Sequence, residues 1–252
     1  MAMSQDSIYS PHPRDAAAPV HEVFRIDAYQ FSVPIGTIGR DESFWKRIDE
    51  QCVDVATYDL LFKNGLRIGV APMSEFDGIK KHLDTDTSCK KITVNGAAGR
   101  KVQLETRKDL VAQTIFYFDG DNNAVGRSFD RSTNLIDLSF EATPRQPGSI
   151  RVSLAPEVRA NRAQLEYSLL NEEREFQFVE PETFYDLNCR ADIPRDSFLI
   201  LTPSTDADRL TSMGHAFLTT DTSPQRTEQV IVLVPHVINE VARPTVSAAL
   251  IP

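Results

Sequence analysis

The chain has 252 residues, 41% hydrophobic and 25% charged, with a formal net charge of -9, which fits one large domain or two small ones. A chain of this length buries about 70–75% of its unfolded surface and holds a core without disulfides or metal. The acidic balance argues against nucleic acid or an anionic membrane as partner, because both need a concentrated basic surface.

Residues 1–20 read as a disordered arm, rich in Ser, Pro, Asp and Ala and without the apolar core of a leader. This leaves a cytoplasmic chain or one whose leader has been removed. Residues 23–33 alternate, with Phe24, Ile26 and Ala28 on one side of Arg25 and Asp27, and predict a strand ending at Pro34 and Gly36. Asp41 then caps a helix carrying Phe44, Trp45, Ile48 and Cys52 on one face. A second helix is expected from Asp54 to the Lys63-Asn64-Gly65 stop. A strand follows at 66–70, and a third helix through Phe76, Ile79 and Leu83. Residues 21–88 therefore read as a mixed α/β layer.

From Lys90 the period becomes two. Ile136, Leu138 and Phe140 alternate with Asp137, Ser139 and Glu141, and after a turn rich in Pro and Gly, Ile150, Val152 and Leu154 return as the other half of a hairpin. Further strands are expected at 101–105, 111–118, 183–189, 198–201 and 229–234. The last contains Val-Ile-Val-Leu-Val at 230–234, an apolar run that suits a strand covered on both faces. The fold class is α+β, a small N-terminal α/β layer followed by a mainly antiparallel, sandwich-like β domain at 89–242, with a tail at 243–252.

Candidate chemistry is sparse. Asp119, Asp121 and Asn123 supply oxygens at positions one, three and five, with Asp130 eleven residues after the first, as in a calcium loop. Ala124 stands where that loop needs Gly, and Asp130 replaces its Glu. The alternative is an Asp-Gly turn leaving a strand at Phe118. Gly36-Thr-Ile-Gly39-Arg40 and residues 95–100 resemble phosphate-binding turns, with plain connecting turns as the alternative. His215 and His236 read as strand-end residues and not ligands. Cys52, Cys89 and Cys189, odd in number and widely spaced, suggest no disulfide framework. A single disulfide with one thiol left over stays open if the compartment is oxidising. Phe44 and Trp45 at helical spacing read as core, with an interface anchor as the alternative.

In order and rhythm, residues 135–144, the turn, 150–158, 197–201 and 226–238 resemble the C-terminal domain of bacterial secretins, the ring-forming outer-membrane channels of type II secretion and type IV pili. The strand closing at Pro144, the one reaching Pro156, the self-contained apolar strand at 198–201, and Glu228 leading through Pro235 and His236 carry the likeness. Gly214 and Phe217 precede the last strand, and Asn95-Gly96 stands at an early turn. Where that family places pore-forming hairpins, residues 159–175 are too charged for a membrane wall, with Glu172, Glu173 and Glu175 read as a solvated face or loop. The resemblance implies a non-enzymatic structural or assembly protein of the cell envelope, periplasmic or outer-membrane associated and without direct membrane insertion. It would act on itself as a homo-oligomer or on envelope secretion components. Glu228, Val230, Val232, Val234 and His236 are the interface candidates, through strand pairing at a sheet edge. The alternative is a soluble β-sandwich module binding a glycan, peptide or calcium through the loops at 119–130 and 202–209.

Overall fold

A computed structural model of the protein describes residues 20–83, 89–143, 148–167, 173–221 and 226–241. The expected arm and tail lie outside these residues, apart from Val20. The chain is α+β and mostly antiparallel sheet. It begins with β1 (Val20–Pro34), α1 (Glu42–Trp45), α2 (Val55–Lys63), β2 (Leu66–Pro72) and α3 (Phe76–Leu83). There follow β3 (Cys89–Ala97), β4 (Val102–Leu110), β5 (Gln113–Phe118), β6 (Ala124–Phe129), β7 (Ser132–Ala142) and β8 (Ile150–Tyr167). The last elements are β9 (Glu173–Thr183), β10 (Cys189–Ile193), β11 (Ser197–Pro203), α4 (Met213–Leu218), β12 (Thr219–Thr220) and β13 (Thr227–Val241).

One sheet runs β2-β11-β13-β1-β3, with β12 also on β13; a second runs β10-β8-β7-β4, with β9 also on β8; β5 and β6 form a separate hairpin. The first sheet is apolar on both faces. Ile231 and Leu233 of β13, Leu199 and Leu201 of β11, and Phe24 and Ile26 of β1 share a core with Ile136, Leu138, Val152 and Leu154 of the second sheet. Val230, Val232 and Val234, Phe198 and Ile200, and Phe31 and Val33 turn the other way, against Phe44 and Trp45 of α1 and Ile79 and Leu83 of α3. The run at 230–234 is thus enclosed on both sides, as its composition requires.

The expected boundary near residue 88 is not a seam in the fold. β1 lies between β13 and β3, paired with β13 from Val20 opposite Val241 to Pro34 opposite Thr227. The helix expected at 41–52 is also cut short. Asp41 caps α1 by accepting from the Ser43 and Phe44 amides. The chain then leaves the helix because Asp49 pairs with the edge of β2, its amide donating to Val70 O at 2.7 Å and the Val70 amide returning to Asp49 O at 2.9 Å. Cys52 ends a 3-10 turn, Glu50–Cys52, that begins after Asp49.

The strand expected at 183–189 is replaced by the end of β9, a 3-10 turn at Tyr185–Leu187 and the start of β10. Phe184 and Leu187 are buried there, and Phe184 meets Tyr117, Phe129 and Phe217 edge to face. Asn95 and Gly96 are not a turn but lie within β3, opposite Arg25 and Phe24. The turn comes at Gly99, whose φ of +74° suits glycine. Residues 159–167 and 173–175, from the stretch expected to be too charged for a membrane wall, belong to a hairpin. β8 and β9 pair without interruption from Glu157 opposite Thr183 to Tyr167 opposite Glu173.

Candidate functional site

The turn leaving β1 is the most organised polar feature in the described residues. Gly36 has φ +77°, and the turn points its amides inward, where Gly36 N donates to Glu228 Oε2 at 2.9 Å and Ile38 N to Glu228 Oε1 at 2.8 Å. Backbone amides gathered in this way make an anion cradle. The phosphate-like pattern read at 36–40 is therefore real in its geometry, but its anion is a carboxylate of the same chain. Burial pushes the Glu228 carboxyl above the usual carboxylate range, against the lowering effect of the Ile38 and Gly36 amides. Arg40 pairs with Asp208 beside the same turn.

Below it lies a buried cation. Arg67 donates from Nε and Nη2 to the two oxygens of Glu50 at 2.6 and 2.9 Å, and from Nη1 to Gly39 O at 3.3 Å. Its guanidinium lies 4.1 Å from the Trp45 ring centroid. Trp45 itself is buried and donates from Nε1 to Ile38 O at 3.0 Å, which makes it core and not an exposed anchor. Burial pulls the Arg67 pKa down, but the Glu50 hydrogen bonds and charge leave it raised overall. Tyr58, which donates to Glu50 Oε1 at 3.0 Å, is raised to about 12 by burial and then by Glu50.

The calcium pattern does not assemble. Asp119 Oδ1 accepts from the Asp121 and Asn123 amides at 3.0 and 2.7 Å, and Asn122 takes a positive φ of 65°, so the segment is the tight turn of the β5–β6 hairpin. Asp130 follows the far end of β6, roughly 17 Å along the strand at the usual rise per residue. Hairpin pairing from Phe118 opposite Ala124 to Gln113 opposite Phe129 is what separates the four residues. Among the described residues no three His, Cys, Asp or Glu side chains converge as metal ligands. The two loops of the binding-module reading are linked through Lys63 of α2 and Phe118 of β5. Lys63 bonds Asn122 and lies over the Phe118 ring, and Arg209 bonds Lys63 O and approaches the same ring. A cleft between α2 and the turn is lined by Thr57, Asp59, Leu60, Lys63, Asp119 and Asn122.

Four of the five interface candidates fall inside the protein, while His236 is partly exposed. Val230, Val232 and Val234 are core, Glu228 is bound in its cradle, and β13 is flanked by β1 on one side and by β12 at 227–228 and β11 at 231–233 on the other. The four buried candidates offer no accessible sheet edge to another chain, whereas beyond Val234 β13 has only β1 beside it among the described residues. His236 stands beside Asp27, Nε2 to Oδ2 3.4 Å. His215 is in α4 and not at a strand end. Its Nδ1 lies 3.2 Å from Ala207 O and its Nε2 2.9 Å from Asp221 Oδ2, so both ring nitrogens are engaged in fixing α4.

Further open edges lie elsewhere. The first sheet ends at β3, where Lys90, Lys91, Thr93 and Asn95 are exposed. Lysines on an edge strand oppose indiscriminate pairing. In the second sheet β7 accompanies β8 only as far as Ser132 opposite Ala160. From Asn161 opposite Val179 to Tyr167 opposite Glu173, the β8–β9 hairpin has no third strand among the described residues. The charged composition of this stretch hid the hairpin in the sequence.

No family model matches the chain, and no curated protein does. Among solved structures there is a weak likeness to the InvG secretin domain β-barrel from the Salmonella SPI-1 injectisome NC-base, at 10% identity and a TM-score of 0.22. The match covers 91% of this chain and 66% of that one, just under two thirds of its length. No helix among the described residues is long and apolar enough to cross a membrane.

Proposed function

We propose that this protein is a non-enzymatic, secretin-like assembly component of the bacterial cell envelope, periplasmic or outer-membrane associated. In this reading it acts through contacts with copies of itself or with envelope secretion components. The observation that carries the reading is the unaccompanied part of the β8–β9 hairpin. An isolated two-stranded hairpin is marginally stable in water, whereas three or more strands stabilise one another. A ribbon that outruns its own sheet is completed by strands from a neighbour, and main-chain hydrogen bonds supply the affinity. The β3 edge, guarded by Lys90 and Lys91, is less open than this ribbon.

The test is the mass of the purified chain by light scattering after size exclusion, with negative-stain images of the same fraction. A companion variant has residues 161–179 replaced by Asn-Gly, which closes a two-residue hairpin turn. We expect large symmetric oligomers from the full chain and a monomer of unchanged melting temperature from the variant. A full chain that stays at 28.2 kDa, alone and with envelope extracts, sinks the reading. So does an oligomer that survives removal of the ribbon.

A further inference from the structure

We propose that Cys52 and Cys189 form a disulfide that clasps the two sheets together at one side of the sandwich. The 3-10 turn that ends in Cys52 packs against β10, whose first residue is Cys189. Cys189 belongs to the core shared by the two sheets, and Cys52 packs on that core. Burial, and after it the nearby Cys52, pushes the Cys189 thiol up to about 12.

The place of the pair in the fold gives the bond its consequence. The turn carrying Cys52 follows Asp49, which is hydrogen-bonded to Val70 on β2, the edge strand of the first sheet. Cys189 opens β10, the strand that heads the second sheet. A bond between them joins the two sheets and closes a loop of more than half the chain, and closing a long loop restricts the unfolded state strongly.

The oxidant is a low-molecular-weight disulfide such as oxidised glutathione. Cys52, half-buried, is reached first, while Cys189 is buried. The Cys52 thiolate attacks one glutathione sulfur, expelling one glutathione as thiolate and forming a mixed disulfide. The Cys189 thiolate then attacks the Cys52 sulfur and expels the second glutathione. The two cysteines lose two protons and two electrons in total, and the glutathione disulfide becomes two thiols. Burial also holds Cys52 near 12. The thiolate is the reactive form, so the folded protein oxidises slowly and the bond forms mainly during folding.

The experiment refolds the full chain with oxidised and reduced glutathione, quenches with an alkylating agent under denaturing conditions, and maps peptides by mass spectrometry. We expect a linked pair containing Cys52 and Cys189, lighter by two hydrogens than the separate peptides. Cys89, exposed on β3, should be alkylated. The oxidised form should melt several degrees above the reduced one, an increase that C89S keeps and C52S loses. Alkylation of all three thiols, or a link through Cys89, overturns the proposal on the unmodified chain whatever the folding of the variants. A bond that forms without raising the melting temperature overturns the clasp.

Discussion

Glu228 and Ile38 are 190 residues apart in sequence, yet the Ile38 amide donates to the Glu228 carboxylate at 2.8 Å and, with Gly36, surrounds it. The contact joins the exit of β1 to the entry of β13, the two strands with the longest mutual register in the first sheet. It has two consequences of opposite sign. The carboxylate pairs amides that would otherwise lack a partner, Ile38 being fully enclosed, but ionisation at this depth is costly.

Glu228→Ala should therefore destabilise by about 2–3 kcal/mol, the cost of leaving buried donors unpaired. Glu228→Gln should cost less, since the amide oxygen still accepts one bond. Because the folded pKa is raised, the native state holds its proton after the unfolded chain has lost it, and stability falls as pH rises from the unfolded value through the folded one. Gln does not titrate. The stability gap between the native protein and E228Q should accordingly be larger in acid than near neutrality. Urea unfolding at several pH values measures this, and a gap that widens with pH refutes the assignment.

Arg67 gives the second prediction. Removing one member of a buried pair leaves the other charge uncompensated, at about 3–5 kcal/mol. Arg67→Ala, which strands Glu50 and also uncovers the Trp45 ring, should fall in that range. Arg67→Lys should recover only part of it, because an ammonium neither forks onto a carboxylate nor stacks as a plane. The double variant R67L/E50L should be less destabilised than R67A. Trp45, the chain's only Trp, reports the unfolding by fluorescence, and a loss below about 1 kcal/mol for R67A would show the pair to be incidental.

Local rules were legible where the chain obeys them within a few residues. The alternation at Ile136, Leu138 and Phe140, the Asp41 cap, the helix start near Asp54 and the enclosed run at 230–234 could be read directly. Long-range pairing was not. Nothing near Val23 announces that β1 pairs with a strand at the opposite end of the chain, so the apparent change of character near residue 88 looked like a domain boundary. The helix at 41–52 failed because Asp49 finds a strand partner at Val70, a tertiary contact that overrides helical spacing. The 36–40 turn showed its amide cradle, but the occupant, Glu228, looked instead like an interface residue. β9 was missed because its Glu and Arg residues read as solvated. Asp130 was grouped with Asp119 by spacing alone, which a hairpin of this register pulls apart.

Asp27 gives the pH prediction. It accepts from Thr93 Oγ1 at 2.7 Å and pairs with Lys91 Nζ at 3.1 Å, with His236 Nε2 at 3.4 Å. Burial raises its pKa, but the bonds from Thr93 and Lys91 and the charges of Lys91 and His236 outweigh this and hold it below the ordinary 3.8. A depressed carboxyl contributes stability that is complete above its unfolded pKa and is lost as pH falls through the folded one. Asp27→Asn should therefore lower the melting temperature at pH 5 and above, and the difference from the native protein should close as the acid limb is descended below 3.8. Lys91→Met should give a smaller gap that closes over the same range, since Thr93 remains. Melting curves at fixed ionic strength decide it: a D27N gap that stays constant into strong acid would mean that Asp27 acts by packing and not by charge.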